Sequence, residues 1–199
     1  MLKSRGGEPV KFVDVIDEAI ERGRAVVAAK NPELPLEQQL AVGNAVGIGA
    51  LKYFDLSTDR VRDYVFDWER MLSFDGNTAP YLQYAHARIC SIFRRAGTDR
   101  TEVRSTVPVL GEVQERDLGM RVLGFGSVVA EAVDRSSPHR LSTYLYELAS
   151  DFTAFYEHCP VLKAPDASTR ASRLALSDVT ARVLALGLRL LGITAPDRM

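Results

Sequence analysis

The chain has 199 residues, of which 46% are apolar and 26% charged, with a formal net charge of −1. That length and apolar content are enough for one or two domains with a buried core. The near-neutral balance excludes a generic polyanion binder, because non-specific affinity for nucleic acid comes from surplus Lys and Arg.

Any contact with nucleic acid must therefore be local, and the arginines are unevenly spread: Arg88, Arg94, Arg95, Arg100 and Arg104 crowd one region. Met1 to Pro9 is largely polar and lacks the apolar run of a signal peptide. No apolar stretch approaches the roughly 20 residues needed to span a bilayer. A cytoplasmic location without membrane contact is expected. The two cysteines, Cys90 and Cys159, sit in no C-x-x-C pair and are expected as buried free thiols without a histidine at ligand spacing, so no metal is expected.

Along the chain the pattern is helical almost throughout. Val13 to Ala29 places Val13, Ile16, Ala19, Ile20, Val26 and Val27 at near-helical spacing, with Asp14, Asp17 and Glu18 early, where the helix dipole favours acids. Lys30 to Pro35 breaks it. Leu36 to Lys52 resumes, and its Gly43, Gly47 and Gly49 cost helix propensity, which predicts close approach of a neighbouring helix. That glycine run lacks the G-x-G-x-x-G order and follows no strand, so a phosphate loop is not expected. Tyr53 to Ser73 carries the β-favouring Val61, Tyr64, Val65, Phe66 and Trp68, and predicts a short extended segment or an irregular bridge.

Further helices are predicted at Tyr81–Arg95, Glu115–Val133, Pro138–Glu157 and Ser168–Leu191. In the third of these, Leu141, Tyr144, Leu145, Leu148, Ala149, Phe152, Phe155 and Tyr156 form a continuous stripe that must be buried. The last carries Leu174, Val179, Val183, Leu184, Leu186, Leu188, Leu190 and Leu191, which implies a central position in a bundle. His86, His139 and His158 have no companion nucleophile or paired carboxylate, and are expected as solvated or capping histidines.

The stretch Asn77-Thr-Ala-Pro-Tyr-Leu-Gln-Tyr-Ala-His-Ala-Arg88 combines a helix start with a chemical face. Thr78 fits an N-cap and Pro80 the first turn, where its missing N–H costs little. Tyr81, Tyr84 and Arg88 follow at i, i+3 and i+7, sharing one side. Spacing leaves two readings open. The face is either a tyrosine-lined core edge with an arginine reaching water, or a platform on which unpaired bases stack.

Asn77 to Ile92, with its lead-in Phe66 to Gly76, resembles the entry to the anticodon-binding domain of arginyl-tRNA synthetases, the α-helical type named for its D-A-L-R signature. The resemblance continues in Val46–Leu56, Tyr144–Ala149, Phe152, Phe155–Tyr156, Arg173–Leu174 and Leu190–Met199, and so covers nearly the whole chain in order. It implies an all-α fold: an anticodon-binding helical bundle of the DALR type at 35–199, preceded at 1–34 by a helical segment resembling the end of a catalytic domain. In the family, the residues that meet the anticodon loop correspond here to Tyr81, Tyr84 and Arg88, with Asn77 and Gln83 as nearby polar candidates. Phe152 and Tyr156 correspond to a second contact row, and Arg198 and Met199 to the terminal segment near the anticodon stem-loop.

The resemblance implies tRNA of the arginine isoacceptors as partner, and no DNA. The synthetase reaction needs a nucleotide-binding α/β domain, and no strand–glycine–helix unit of that kind exists in this sequence. Leu2 to Gly7 resembles a truncated, degenerate second catalytic signature, so Lys3 and Arg5 are not assigned a catalytic role. ATP and Mg2+ would belong to a separate catalytic domain or protein, and the chain is expected not to activate arginine alone. Two functions follow as expectations. The chain is either the anticodon-recognising part of an arginyl-tRNA synthetase, or a freestanding paralogue acting as a tRNA-binding or protein-interaction module.

Overall fold

A computed structural model describes residues 11–199, and among these every regular element is a helix. In chain order they are α1 (Phe12–Lys30), α2 (Leu36–Leu56), α3 (Trp68–Met71), α4 (Ala79–Ala96), α5 (Val113–Leu123), α6 (Phe125–Asp134), α7 (Pro138–His158) and α8 (Ala167–Leu190). The expected remnant of a catalytic signature at Leu2 to Gly7 lies outside the described residues.

Helices α1 and α2 pack as an intimate pair, and their glycines make the approach possible. A Cβ on Gly47 would run into the Ala19 carbonyl, with the Ala19 carbonyl carbon at 2.6 Å; one on Gly43 would meet the Arg24 Cα at 2.6 Å. Gly23, on the opposite side of the crossing, would meet the Gly47 nitrogen at 2.7 Å. All these obstacles are backbone atoms, which cannot step aside as a side chain can. The helix-propensity cost of the glycines is thus offset by contact between two backbones. The Gly47→Ala substitution is expected to destabilise the protein by about 1–3 kcal/mol through overpacking, read as a lower denaturation midpoint with an unchanged m-value.

The segment rich in β-favouring residues forms no strand. Helix α2 runs on to Leu56, burying Tyr53, and the irregular bridge that follows ends in the single turn of α3. Asp67 caps that turn by accepting hydrogen bonds from the Glu69 and Arg70 amides. Phe54, Tyr64, Phe66 and Trp68 instead stack edge to face, with ring centroids 4.8–6.0 Å apart. Phe54, Phe66 and Trp68 are partly buried against a small core of Val27, Val42, Val46, Ala50, Met71 and Leu72, with Tyr64 on the outside of the cluster, so no partner strand is required.

The single helix expected over Glu115–Val133 is two helices, α5 and α6, meeting at Gly124. Gly119, Gly124 and Gly126 together weaken a continuous helix there. The Arg121 carbonyl at the junction accepts from the Gly124 amide at 3.1 Å and, in addition, from the Tyr144 hydroxyl, which reaches from α7, at 2.7 Å.

The main core gathers around α7 and α8. The α7 stripe is buried as its spacing predicts, from Leu141 through Phe155, against Leu82, Ile89 and Phe93 of α4, Leu118 of α5 and Leu174, Leu184 and Leu188 of α8. Helix α8 is central along most of its length, although Leu186 and Leu190 emerge at its far end. Both cysteines are buried free thiols.

Candidate nucleic-acid interface

Helix α4 begins as its sequence predicts. Thr78 adopts an extended backbone, and its hydroxyl oxygen accepts a hydrogen bond from the Tyr81 amide at 3.3 Å, with Pro80 in the first turn. Gly97 ends the helix in the left-handed conformation, at φ +64°. One side of α4 faces the main core, another faces the chain's last residues, and between them a groove opens.

The last residues reach that groove by running back along α4. After α8, Gly192 turns the chain at φ +70°, and successive tail residues are then gripped by one stripe of α4. The Gln83 amide donates to the Thr194 carbonyl at 2.7 Å, His86 Nδ1 lies 2.9 Å from the Pro196 carbonyl, and the Cys90 thiol donates to the Asp197 carboxylate at 3.4 Å. A turn further on, Arg94 donates to the Asp197 carbonyl at 2.9 Å, and Asn31, from the α1–α2 turn, donates to the Met199 main-chain oxygen at 2.9 Å. The spacing of Gln83, His86, Cys90 and Arg94 matches one helical face, so one side of a helix reads an extended strand of chain.

This strapping brings together, in one open groove of about 580 Å3, Tyr84 and Arg88 of α4, Tyr156 of α7, and Arg198 and Met199 of the tail. Tyr84 is 36% exposed, with its ring edge-on to Phe74 at 6.1 Å and the Lys30 ammonium 5.4 Å from its centre. The Arg88 guanidinium lies 4.1 Å from the centre of the Tyr156 ring, and no carboxylate pairs with it among the described residues. Its N–H groups are consequently free to meet an acceptor while its plane rests on an aromatic face. Arg94 and Arg95 also line the groove, where Glu33 is the one carboxylate side chain and the four arginines outnumber it and the Met199 α-carboxylate together. A chain with a net charge of −1 thus carries a locally basic, aromatic surface.

Four of the residues expected at this face lie elsewhere. Gln83 is fully buried, with its amide nitrogen committed to the Ala45 and Thr194 carbonyls, so it braces the tail. Phe152 is fully buried between Phe155 and Tyr156, because the stripe to which it belongs faces α4 and α8. Tyr81 is half-buried where α7 crosses the shared face: its ring packs on Tyr146 at 5.7 Å and its hydroxyl lies 3.4 Å from Thr153 Oγ1. Asn77 lines a separate hollow beside Tyr53, whose hydroxyl lies 2.5 Å from Asn77 Oδ1 and 2.9 Å from the Ser142 carbonyl.

His86 is likewise buried rather than solvated, and burial pushes its imidazole pKa down. It stands one turn from Cys90, with Nε2 3.8 Å from the sulfur, and together with Asp197 the three ligand-type atoms lie within 4.8 Å of one another. The expectation that neither cysteine has a histidine at ligand spacing is thereby corrected. In the structure these groups serve the strap, and the Arg100 guanidinium, 3.9 Å from Cys90, sets a positive charge beside the three. Burial raises the Cys90 thiol to about 11, so the protonated form that donates to Asp197 persists at neutral pH. Of the other histidines, His158 bonds the Ala154 carbonyl in the last turn of α7, and His139 lies 3.9 Å from Asp59.

Sequence spacing did not reveal Lys30, Asn31 or Phe74, which flank Tyr84 or fasten the tail. Asn31 and Met199 lie 168 residues apart, so only the folded chain shows the pairing.

Fold and groove together define an all-helical module whose C-terminal strap completes a basic aromatic cleft. The chain belongs to the family of the DALR anticodon binding domain, whose model matches residues 82–199. A second family model, tRNA synthetases class I (R), catalytic domain, matches residues 1–68. The chain is 48% identical over 197 residues to the arginine–tRNA ligase of Enterobacter sp. (strain 638) and 47% identical to that of Escherichia coli (strain K12 / DH10B). In both cases 99% of this chain is covered but 34% of the relative, so the chain spans about a third of the curated relatives it matches and corresponds to their C-terminal part. Among solved structures, it resembles the Thermus thermophilus arginyl-tRNA synthetase with a TM-score of 0.89 at 36% identity, over 100% of this chain and 34% of that one. The Plasmodium falciparum arginyl-tRNA synthetase follows at 0.83 and 31%, over 96% and 34%.

Proposed function

We propose that this chain binds the anticodon loop of arginine tRNA and serves arginyl-tRNA formation together with a catalytic portion that it does not itself contain. The observation that carries this reading is the convergence of Tyr84, Arg88 on Tyr156, Arg198 and Met199 on one open groove with surplus positive charge.

Unpaired loop bases present flat apolar faces and unsatisfied edges, and the groove answers both. The exposed Tyr84 ring offers a stacking surface, worth roughly 1–3 kcal/mol per base by truncation. Arg88, held over the Tyr156 ring, offers a second surface, while its free N–H groups reach a base edge or a phosphate. Arg94, Arg95 and Arg198 neutralise the backbone that enters with the bases. Tyr81, turned toward Thr153, supports the groove from behind by setting the approach of α7 to α4.

We place ATP and Mg2+ outside this chain. The glycine-rich run that most resembles a phosphate loop lies within α2, and the backbone of α1 occupies the space above it.

Tyr84→Ala is expected to weaken arginine tRNA binding about 5- to 150-fold, corresponding to one lost stacking contact, with the thermal transition retained because Tyr84 lies outside the main core. Filter binding at fixed salt measures the first and calorimetry the second. Unchanged affinity in the folded variant would contradict the groove assignment.

A further inference from the structure

The basic surface does not stop at the groove. The loop after α4 carries Arg100 and Arg104, and the second half of α8 carries Arg182 and Arg189. These four guanidinium groups line a hollow of about 770 Å3 on the far side of the tail, in which Asp197 is the one lining carboxylate.

Beneath them lies Asp178, whose side chain is 3% exposed and which anchors three of the four. Arg100 donates to it at 2.7 Å, while Arg182 lies 3.7 Å and Arg104 3.8 Å away. One buried carboxylate neutralises one cation, so the cluster keeps a positive excess, and Arg189 adds to it with no carboxylate partner among the described residues. An anchor of this kind also fixes where the guanidinium groups stand, which reduces the ordering cost when an anion arrives.

The hollow is continuous with the Tyr84 groove. Arg100 and Asp197 also line an open depression with Asp99, Arg94 and Arg198, and Arg94 and Arg198 in turn line the groove. The tail thus forms a low ridge with arginines on both flanks. Arg100 is turned inward onto Asp178, while Arg104, Arg182 and Arg189 are exposed; spaced guanidinium groups of this kind along an open track, without an aromatic platform at the far end, match a repeating anion and offer nothing to read a base.

We propose that this arginine track binds the phosphate backbone of the RNA whose unpaired bases occupy the Tyr84 groove; the inference rests on that reading of the groove. It is a sequence-independent contact. Its contribution is the release of counterions, and it therefore appears in the salt dependence of binding.

The test is a titration of the full chain with labelled arginine tRNA and with a tRNA of unrelated anticodon, over a series of potassium chloride concentrations. Arg182→Gln combined with Arg189→Gln is expected to lower the slope of log affinity against log salt by about 2, and Arg189→Gln alone by about 1, equally for both tRNAs. Arg182→Lys with Arg189→Lys is expected to restore the slope. Arg189→Gln removes an exposed side chain with no partner, so folding is not at stake in that variant. An unchanged slope in the folded variants, with Tyr84→Ala still weakening arginine tRNA binding, overturns the track and leaves the groove. A lowered slope, with Tyr84→Ala without effect, supports the track and overturns the groove.

Discussion

Replacing Glu115 with alanine is expected to cost about 3–5 kcal/mol of stability, because it strands a buried cation. The Glu115 carboxylate and the Arg173 guanidinium, 2.7 Å apart, have side chains only 5% and 9% exposed. Glu115 also closes the capping box of α5, accepting from the Gly111 and Glu112 amides at 2.8 and 2.9 Å. Arg173 meanwhile holds the Pro160 carbonyl at 3.0 Å, so the pair ties the start of α5 to α8 and to the turn after α7. Removing the acid leaves a guanidinium in the protein interior with its partner gone and two amides uncapped.

The same pair gives an acid-sensitive stability. Burial pushes the Glu115 carboxyl pKa up, but the Glu112 amide, the Arg173 guanidinium and the Gly111 amide outweigh it, and the net shift is downward. A carboxyl depressed in the folded state contributes fully above its unfolded value, about 4.3, and that contribution fades as pH falls through the lower folded value. Thermal melts from pH 7 downward are expected to show wild type losing stability more steeply than Glu115→Ala once pH drops below about 4. Parallel curves would show that the pair contributes nothing to the titration.

The second large effect is expected at Phe152. Its ring is fully buried against Phe155 and Tyr156, and Phe152→Ala leaves a cavity in the main core. A loss of about 3–5 kcal/mol is expected, read from chemical denaturation. A loss below about 1 kcal/mol, accompanied by weakened tRNA binding in the folded protein, would return Phe152 to the surface contact row implied by the family resemblance. The contrast with Tyr84 is one of position: Phe152, on α7, faces α4 and α8 in the main core, whereas Tyr84, on α4, opens on the groove.

That contrast also marks how far the sequence could be read. The helices with long apolar stripes, α7 and α8, were legible because a 3.6-residue period fixes which face must be buried. The cap of α4 was legible because Thr78 and Pro80 act locally, and the α1–α2 crossing because Gly43 and Gly47 have no other reason to sit in a helix. Over Tyr53–Ser73 the sequence allows a short extended segment or an irregular bridge, and the bridge wins because Tyr64, Phe66 and Trp68 find aromatic partners in one another and in Phe54. At the Gly124 junction the Tyr144 hydroxyl arrives from a different helix, a contact that local sequence does not announce.

At the groove, spacing put Tyr81, Tyr84 and Arg88 on one side of α4 and was right about the geometry of that helix. It could not show that α7 crosses that side and takes Tyr81 out of reach, nor that a tail 100 residues downstream would be strapped to the neighbouring face. A periodic pattern shows that a face exists; what covers the face is set by contacts between residues distant in sequence.

The central claim is that unpaired bases stack in the Tyr84 groove, and an arginine tRNA with abasic anticodon positions tests it most directly, since backbone charge is unchanged while the stacking surface is removed. Compared with intact arginine tRNA at the same salt, the abasic form is expected to bind at least about fivefold more weakly, the smallest loss a single stacking contact allows. Equal affinity for the two would contradict it.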